Sequence, residues 1–189
     1  MTTTALQRFI ALATERSRTR SEPADCVLAL APLMLGLIEQ AGSFLEPQHY
    51  QSHPDHYTRN LIHDAADGSL SLYSIVWQPG QWTPVHDHGS WGVVGVVEGV
   101  LEERSWVRLS PDRSADEGIE LVRGGVILLA SGAVTSFVPN PDHIHVTGVP
   151  AERSRAVSLH LYGRMMNDFN TYDVASGTRR RVTVAHNES

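Results

Sequence analysis

Apolar residues recur at helical spacing near the start of the chain and at alternate positions in short runs after about residue 57. Leu6, Phe9, Ile10 and Ala13 predict a first helix, with the threonines before them as N-caps. Val27, Leu30, Leu33, Met34, Leu37 and Ile38 give a second helix its apolar stripe. That helix is predicted to start near Ser21-Glu22-Pro23, where serine can cap and proline tolerates the first turn, and to end at Gly42. Beyond Tyr57 the runs 69–77, 92–109, 118–122, 126–130, 134–138 and 156–162 are rich in Val, Leu, Ile, Thr and aromatics and predict strands. Asp67-Gly68, Pro79-Gly80, Arg123-Gly124-Gly125 and Ser131-Gly132 mark turns between them. Many short strands with regular punctuation predict a mainly β sandwich or barrel, with the helices covering one side.

At 189 residues, 41% hydrophobic and 19% charged, the chain reads as one soluble globular domain spanning 1–189, with helices over 1–45 and the barrel over 55–183. The net charge is −6 and all 15 basic residues are arginine, which argues against nucleic acid as a partner, because phosphate neutralisation needs a basic surface. The one basic run, Arg179-Arg180-Arg181, reads as surface. A single cysteine, Cys26, rules out an internal disulfide and fits a reducing compartment. The apolar segment 26–38 around it is too short to cross a membrane and is broken by Pro32. With no apolar signal core beside a basic end, the expected location is the cytoplasm, with no membrane partner.

Two stretches carry candidate chemistry. His86 and His88 stand one residue apart, so on an extended segment both face one side and make half a metal site. Ser158, His160 and Tyr162 repeat the alternation, and His143 and His145 share a strand face between the two stretches. Imidazole suits iron, zinc, nickel and copper alike. The Ser-His-Tyr series is not a hydrolase triad, since the orienting acid is absent and a tyrosine stands in its place.

The run from Gly80 to Gly99 resembles the first cupin motif, with Gly80, His86, His88 and Gly99 at its spacing and Gly92 or Val93 where that motif has its glutamate. Gly132, the prolines at 139 and 141, and His145 match the second motif loosely. A cupin with three histidines followed by Ser-x-His-x-Tyr resembles the cysteine dioxygenase family of thiol dioxygenases. Tyr57-Thr-Arg59-Asn-Leu61 resembles that family's substrate-carboxylate motif, and the interval from His145 to Ser158 suits its third ligand in preference to His143. The resemblance covers roughly residues 55 to 183. It departs at Gly92, which stands where mammalian members carry a cysteine cross-linked to the tyrosine equivalent to Tyr162, so no cross-link is expected.

The resemblance implies a cupin fold, a double-stranded β-helix or jelly-roll barrel with N-terminal α-helices packed on it. It implies Fe(II) held by His86, His88 and His145, with a small thiol and O2 as partners. Tyr57 and Arg59 would hold the substrate carboxylate, and Ser158, His160 and Tyr162 would form a hydrogen-bonded chain reaching the oxygen site. Members preferring 3-mercaptopropionate usually have glutamine at the place of Arg59, so L-cysteine, oxidised to cysteine sulfinate, is the expected substrate. Arg164 would join the same face if the strand runs on past Tyr162, and a second cationic fork there would suit mercaptosuccinate; Gly163 would instead open a loop. A non-catalytic metal-binding cupin sensor would account for the histidines but not for Arg59 or the Ser-His-Tyr series.

Overall fold

The computed structural model describes residues 4–139 and 142–187; Pro141 of the second motif lies outside them. Two helices open the chain, α1 (Ala5–Arg18) and α2 (Pro23–Ile38). Thr4 caps α1 through a capping box with Gln7, as the threonines predict. For α2, Glu22 rather than Ser21 takes the cap position and makes no side-chain bond there, and the helix ends at Ile38, short of Gly42, before a 3-10 turn at Ala41–Ser43. Ten strands follow: β1 (Thr58–Asp64), β2 (Ser71–Trp77), β3 (Gly92–Glu98), β4 (Val100–Arg108), β5 (Leu121–Ala130), β6 (Val134–Phe137), β7 (Ile144–Gly148), β8 (Ala156–Tyr162), β9 (Asp168–Asp173) and β10 (Thr178–Thr183).

They form two facing layers, the architecture of a cupin barrel. One sheet runs β1-β2-β8-β3-β6, with every pairing antiparallel. The other begins β5-β4-β7. Residues 82–87 continue it without forming a regular strand: Trp82 bridges Gly148, and His86 bridges both His145 and Thr171. Asp87 N–H donates to the Asn170 carbonyl and Tyr172 N–H to that of Val85, so this segment joins β7 to the β9–β10 hairpin. The chain therefore changes sheet at every connection after β2 except β4 to β5 and β9 to β10.

The run 92–109, expected as one strand, is two. Gly99 breaks it with φ +78, and a Cβ there would lie 2.4 Å from the Arg155 carbonyl oxygen, so the chain turns from one sheet into the other at a residue without a side chain. The turn expected at Arg123-Gly124-Gly125 is absent, and β5 runs through it. The register against β4 shifts there, with Val126 opposite Arg104 and Arg123 opposite Trp106, which leaves Gly124 and Gly125 facing Ser105 as a bulge.

Strand alternation divides the core in two. Leu72, Val93, Leu159 and Leu161 face outward and pack with Leu30, Met34, Leu37 and Ile38 of α2 and Phe9 and Ala13 of α1. A Cβ at Gly95 would lie 2.7 Å from the Ile38 side chain, so the helix seats directly on β3. Tyr73, Ile75, Trp77, Val94, Val96 and Tyr162 face the space between the sheets. The buried strands β2 and β8 thus carry an apolar face for the helices and a mixed face for a cavity.

Candidate metal centre

The cavity between the sheets is lined by Tyr57, Arg59, Trp77, His86, His88, Glu103, Phe137, His145, His160, Tyr162, two threonines and further apolar residues. His86, His88 and His145 are each about 5% exposed, and their donor nitrogens lie within 4.8 Å of one another. The His-x-His segment is held by bridges rather than by a strand ladder, yet the alternation survives. The His86 and His88 rings turn inward, and the Asp87 carboxylate turns away to accept from Tyr172 Oη at 2.6 Å and from Asn170 Nδ2.

His86 Nδ1 lies 3.0 Å from the Pro84 carbonyl, which can only accept, so the proton sits on Nδ1 and the Nε2 lone pair points into the cavity. Nε2 of His86 and Nε2 of His88 are 3.1 Å apart, a separation that needs a proton or a cation between them. His145 presents a buried Nε2 with no hydrogen-bond partner, while its Nδ1 lies 3.1 Å from a Glu103 carboxylate oxygen and 3.2 Å from Thr147 Oγ1. Burial first, then the neighbouring imidazoles, push the pKa of His86 and His88 well below the usual histidine value, and burial lowers that of His145, so all three favour the neutral form that binds metals. Imidazole–metal bonds of about 2.1 Å at a right angle would set two donor atoms about 3 Å apart, close to the His86–His88 spacing, so the trio fits a first-row divalent ion.

His143 is not one of the three. It precedes β7, lies outside the cavity lining, stacks on Phe137 with 4.5 Å between ring centroids, and approaches Glu103 at 3.5 Å.

The Ser158, His160 and Tyr162 side chains line up on the cavity face of β8. Ser158 Oγ is 2.8 Å from His160 Nε2, and His160 Nδ1 is 3.2 Å from Tyr162 Oη. Trp77 adds a link missed in the sequence: its indole N–H donates to Ser158 Oγ at 3.0 Å. Indole can only donate, so Ser158 Oγ accepts from Trp77 and keeps its own proton to give. In the His160 tautomer protonated at Nδ1, Ser158 donates to Nε2, Nδ1–H donates to Tyr162 Oη, and the Tyr162 proton is left to face the cavity. Burial, helped by His145 and Arg59, lowers His160 to about 3, and burial raises Tyr162 far above the usual phenol, so both stay neutral.

Arg59 enters the cavity from β1 and is 7% exposed. Its Nη2 donates to the Met166 carbonyl, its guanidinium lies 4.6 Å from the centre of the Tyr73 ring, and its buried Nη1 has no partner. Tyr57 stacks on Trp77 at 4.8 Å. Arg164 is elsewhere. It follows the end of β8, donates to the His88 carbonyl at 3.1 and 3.2 Å, and pairs with Asp168 at 2.6 Å, outside the cavity lining. The expected shared face ends at Tyr162 because Gly163 closes the strand against Trp91: a Cβ there would meet the indole at 2.3 Å.

Gly92 pairs with Tyr162 across β3 and β8, and a Cβ on it would lie 2.3 Å from the Phe137 ring. The Phe137 ring in turn stacks on His88, with centroids 4.5 Å apart. Glu103, on β4, is the other cavity residue that sequence reasoning missed. Its signal was the alternation with Leu101, an inward apolar residue two positions earlier.

Comparison with known proteins finds relatives named cysteine dioxygenase type 1. The human protein named cysteine dioxygenase type 1 is 27% identical over 131 residues, covering 68% of this chain and 61% of that one. The zebrafish (Danio rerio) protein of the same name is 27% identical over 159 residues, 77% of this chain and 74% of its own length. Among solved structures, a cupin-like protein from Thermotoga maritima has a TM-score of 0.46 at 16% identity, covering 74% of this chain and 88% of its own. An RmlC-like cupin from Ralstonia eutropha also has a TM-score of 0.46, at 12% identity and 68% of each chain. A family model described as cysteine dioxygenase type I matches residues 46–175, well over half of the sequence. The chain belongs to the cysteine dioxygenase type I family, a family of thiol dioxygenases.

Proposed function

We propose that this protein converts a small carboxylate-bearing thiol, L-cysteine first, into its sulfinate, with Fe(II) held by His86, His88 and His145. The observation that carries the reading is the convergence of three buried imidazoles and an unpartnered Arg59 Nη1 on one cavity. Bound iron would hold the substrate sulfur as thiolate and activate dioxygen, chemistry that the polypeptide alone lacks.

The chain's own residues do the rest. Nη1 of Arg59 donates to the substrate carboxylate, and a guanidinium fixed by Met166 and Tyr73 needs little ordering to do so. Tyr57, neutral because burial raises its pKa, closes the same corner and adds a hydroxyl donor. Tyr162 offers its proton toward the reacting sulfur and oxygen, and the chain from Trp77 through Ser158 and His160 keeps that hydroxyl aimed. The apolar walls Val94, Leu101, Phe137 and Phe169 exclude bulk water. Overall, RSH + O2 gives RSO2H: sulfur loses four electrons, dioxygen gains them, both oxygens bond to sulfur, and no further reductant is needed.

Arg164 is occupied by His88 and Asp168 outside the cavity, so a single cationic fork supports a monocarboxylate thiol over a dicarboxylate such as mercaptosuccinate. The test is oxygen uptake by iron-loaded protein with cysteine, 3-mercaptopropionate, cysteamine and mercaptosuccinate in parallel, with the product identified by mass. Cysteine should lead and cysteamine, lacking a carboxylate, should be poor. Mercaptosuccinate as the best substrate would overturn the substrate assignment, and no uptake with any thiol would overturn the activity.

A further inference from the structure

Among the described residues lining the cavity, Glu103 is the only acid, and its side chain is 11% exposed. A buried carboxylate needs a compensating cation or strong donors. The charged or titratable groups in contact with it are two imidazoles: Nδ1 of His145 at 3.1 Å and Nε2 of His143 at 3.5 Å. His143, stacked flat on Phe137, lies on the more exposed side, 25% exposed at its side chain against 6% for His145.

We propose that Glu103 is a positioning residue for the metal centre. It accepts the Nδ1–H of His145, fixes that ring with Nε2 turned toward His86 and His88, and supplies a negative charge that three neutral imidazoles lack. It does this from beyond the ring, so it occupies no coordination position and leaves the open face free for substrate and dioxygen. The Gly80–Gly99 run has no acid where the cupin glutamate would stand. In this chain the carboxylate comes instead from β4 and would act on a bound metal through His145. A carboxylate behind a ligating histidine raises ligand basicity and locks its orientation, and losing it typically weakens metal binding 10–100-fold. Thr147 Oγ1, the other group near Nδ1, carries no charge and cannot replace this effect.

The inference rests on the reading that His86, His88 and His145 hold a metal, and the experiment separates the two. Affinities for iron(II) and cobalt(II) are measured by chelator competition on wild type, Glu103→Gln, Glu103→Asp and Thr147→Val, with the thermal midpoint of each metal-free protein as a check on folding. Glu103→Gln should bind both ions roughly 10–100-fold more weakly. Glu103→Asp, charged but one methylene short, should fall between it and wild type, and Thr147→Val should bind nearly as wild type. In the cobalt(II) forms, the exchangeable Nδ1–H proton resonance of His145 should move in Glu103→Gln and stay in Thr147→Val. Wild-type affinity and an unmoved resonance in Glu103→Gln would sink the role of Glu103 while leaving the metal site intact. If Glu103→Gln fails to fold, wild-type affinity in Glu103→Asp would sink it equally. Failure of the wild-type protein to bind either ion would sink the metal reading itself, and this inference with it.

Discussion

Arg59 has one fixed donor and one free one, and the free one sets its expected cost. Replacing it by glutamine removes a charge-assisted hydrogen bond to the substrate carboxylate, about 1.5–3 kcal/mol, or roughly ten- to a hundredfold in kcat/KM. The loss should appear for cysteine and be far smaller for cysteamine; equal losses for both would show that Arg59 acts on the fold and not on the carboxylate. Tyr162→Phe removes only the hydroxyl at the end of the hydrogen-bonded chain. It should retain metal as wild type does and lose on the order of a hundredfold in kcat, and equal loss of metal would make Tyr162 a structural residue. His160 links acidity to stability. Its pKa is lowered to about 3 by burial, then by His145 and Arg59, whereas the unfolded chain binds that proton near pH 6.5. Between those values the unfolded state holds more protons, so stability falls as pH falls, by about 1.4 kcal/mol per unit for this group. Urea unfolding of the metal-free protein at pH 5 and pH 6 should show a smaller difference for His160→Gln than for wild type; an unchanged difference would mean that His160 is not kept neutral.

The helices and most strands were legible because amphipathic period and turn residues act locally: Thr4 caps where a threonine should, and Gly68, Gly80 and Gly132 turn with positive φ where expected. What was not legible depended on the partner across the sheet. Gly99 inside an apolar run reads as a weak point in a strand, and only the approach of Arg155 makes it the corner between sheets. Gly124 and Gly125 read as a turn, yet neither takes a positive φ; a Cβ on Gly124 would lie 2.5 Å from Ser105 Oγ, so it is the close approach of β4 that needs a glycine in the bulge. The apolar run Val126-Ile127-Leu128 forms a strand as predicted, and each of its residues is exposed on β5, at the edge of its sheet. Gly92 shows the same dependence on a neighbouring strand. Its missing side chain leaves room for the Phe137 ring from β6, against which a Cβ would sit at 2.3 Å. Gly92→Ala should therefore overpack this corner and cost roughly 1–3 kcal/mol in denaturant unfolding. Pairing it with Phe137→Leu should recover part of that cost. A neutral Gly92→Ala would show that Phe137 can move aside. The same geometry predicts an intact mass equal to that of the unmodified chain, with no bond between residue 92 and Tyr162.

At the scale of the whole molecule, the site draws on segments spread from Tyr57 to Tyr162, and what the sequence shows of it depends on sequence distance. His86 with His88, and Ser158 with His160 and Tyr162, were readable because residues two apart on an extended segment share a face whatever surrounds them. Glu103, Trp77 and the Asp87–Tyr172 pair came into view only once the topology set β4 beside β7, β2 beside β8, and β9 beside the His-x-His segment. That segment is also a joint. Through His86 it bridges His145 on one side and Thr171 on the other, so two of the three imidazoles stand where the β5-β4-β7 layer meets the β9–β10 hairpin. Arg164 ties the third, His88, through its carbonyl to Asp168 at the start of β9. A metal gathering these three rings therefore cross-links the joint, and binding should stabilise the fold as a whole. Linkage puts the gain at about 2.7 kcal/mol when free metal is 100 times its Kd. For a chain of this length that corresponds to a rise in Tm of roughly 5–10 °C. Calorimetry of the wild-type protein with and without added iron(II) or cobalt(II) should show that rise, and His145→Ala should show almost none at the same metal concentration. A bound metal that leaves the wild-type Tm unmoved would mean that the unfolded chain's histidines hold it as well as the folded cavity does, and that the joint does not organise the site.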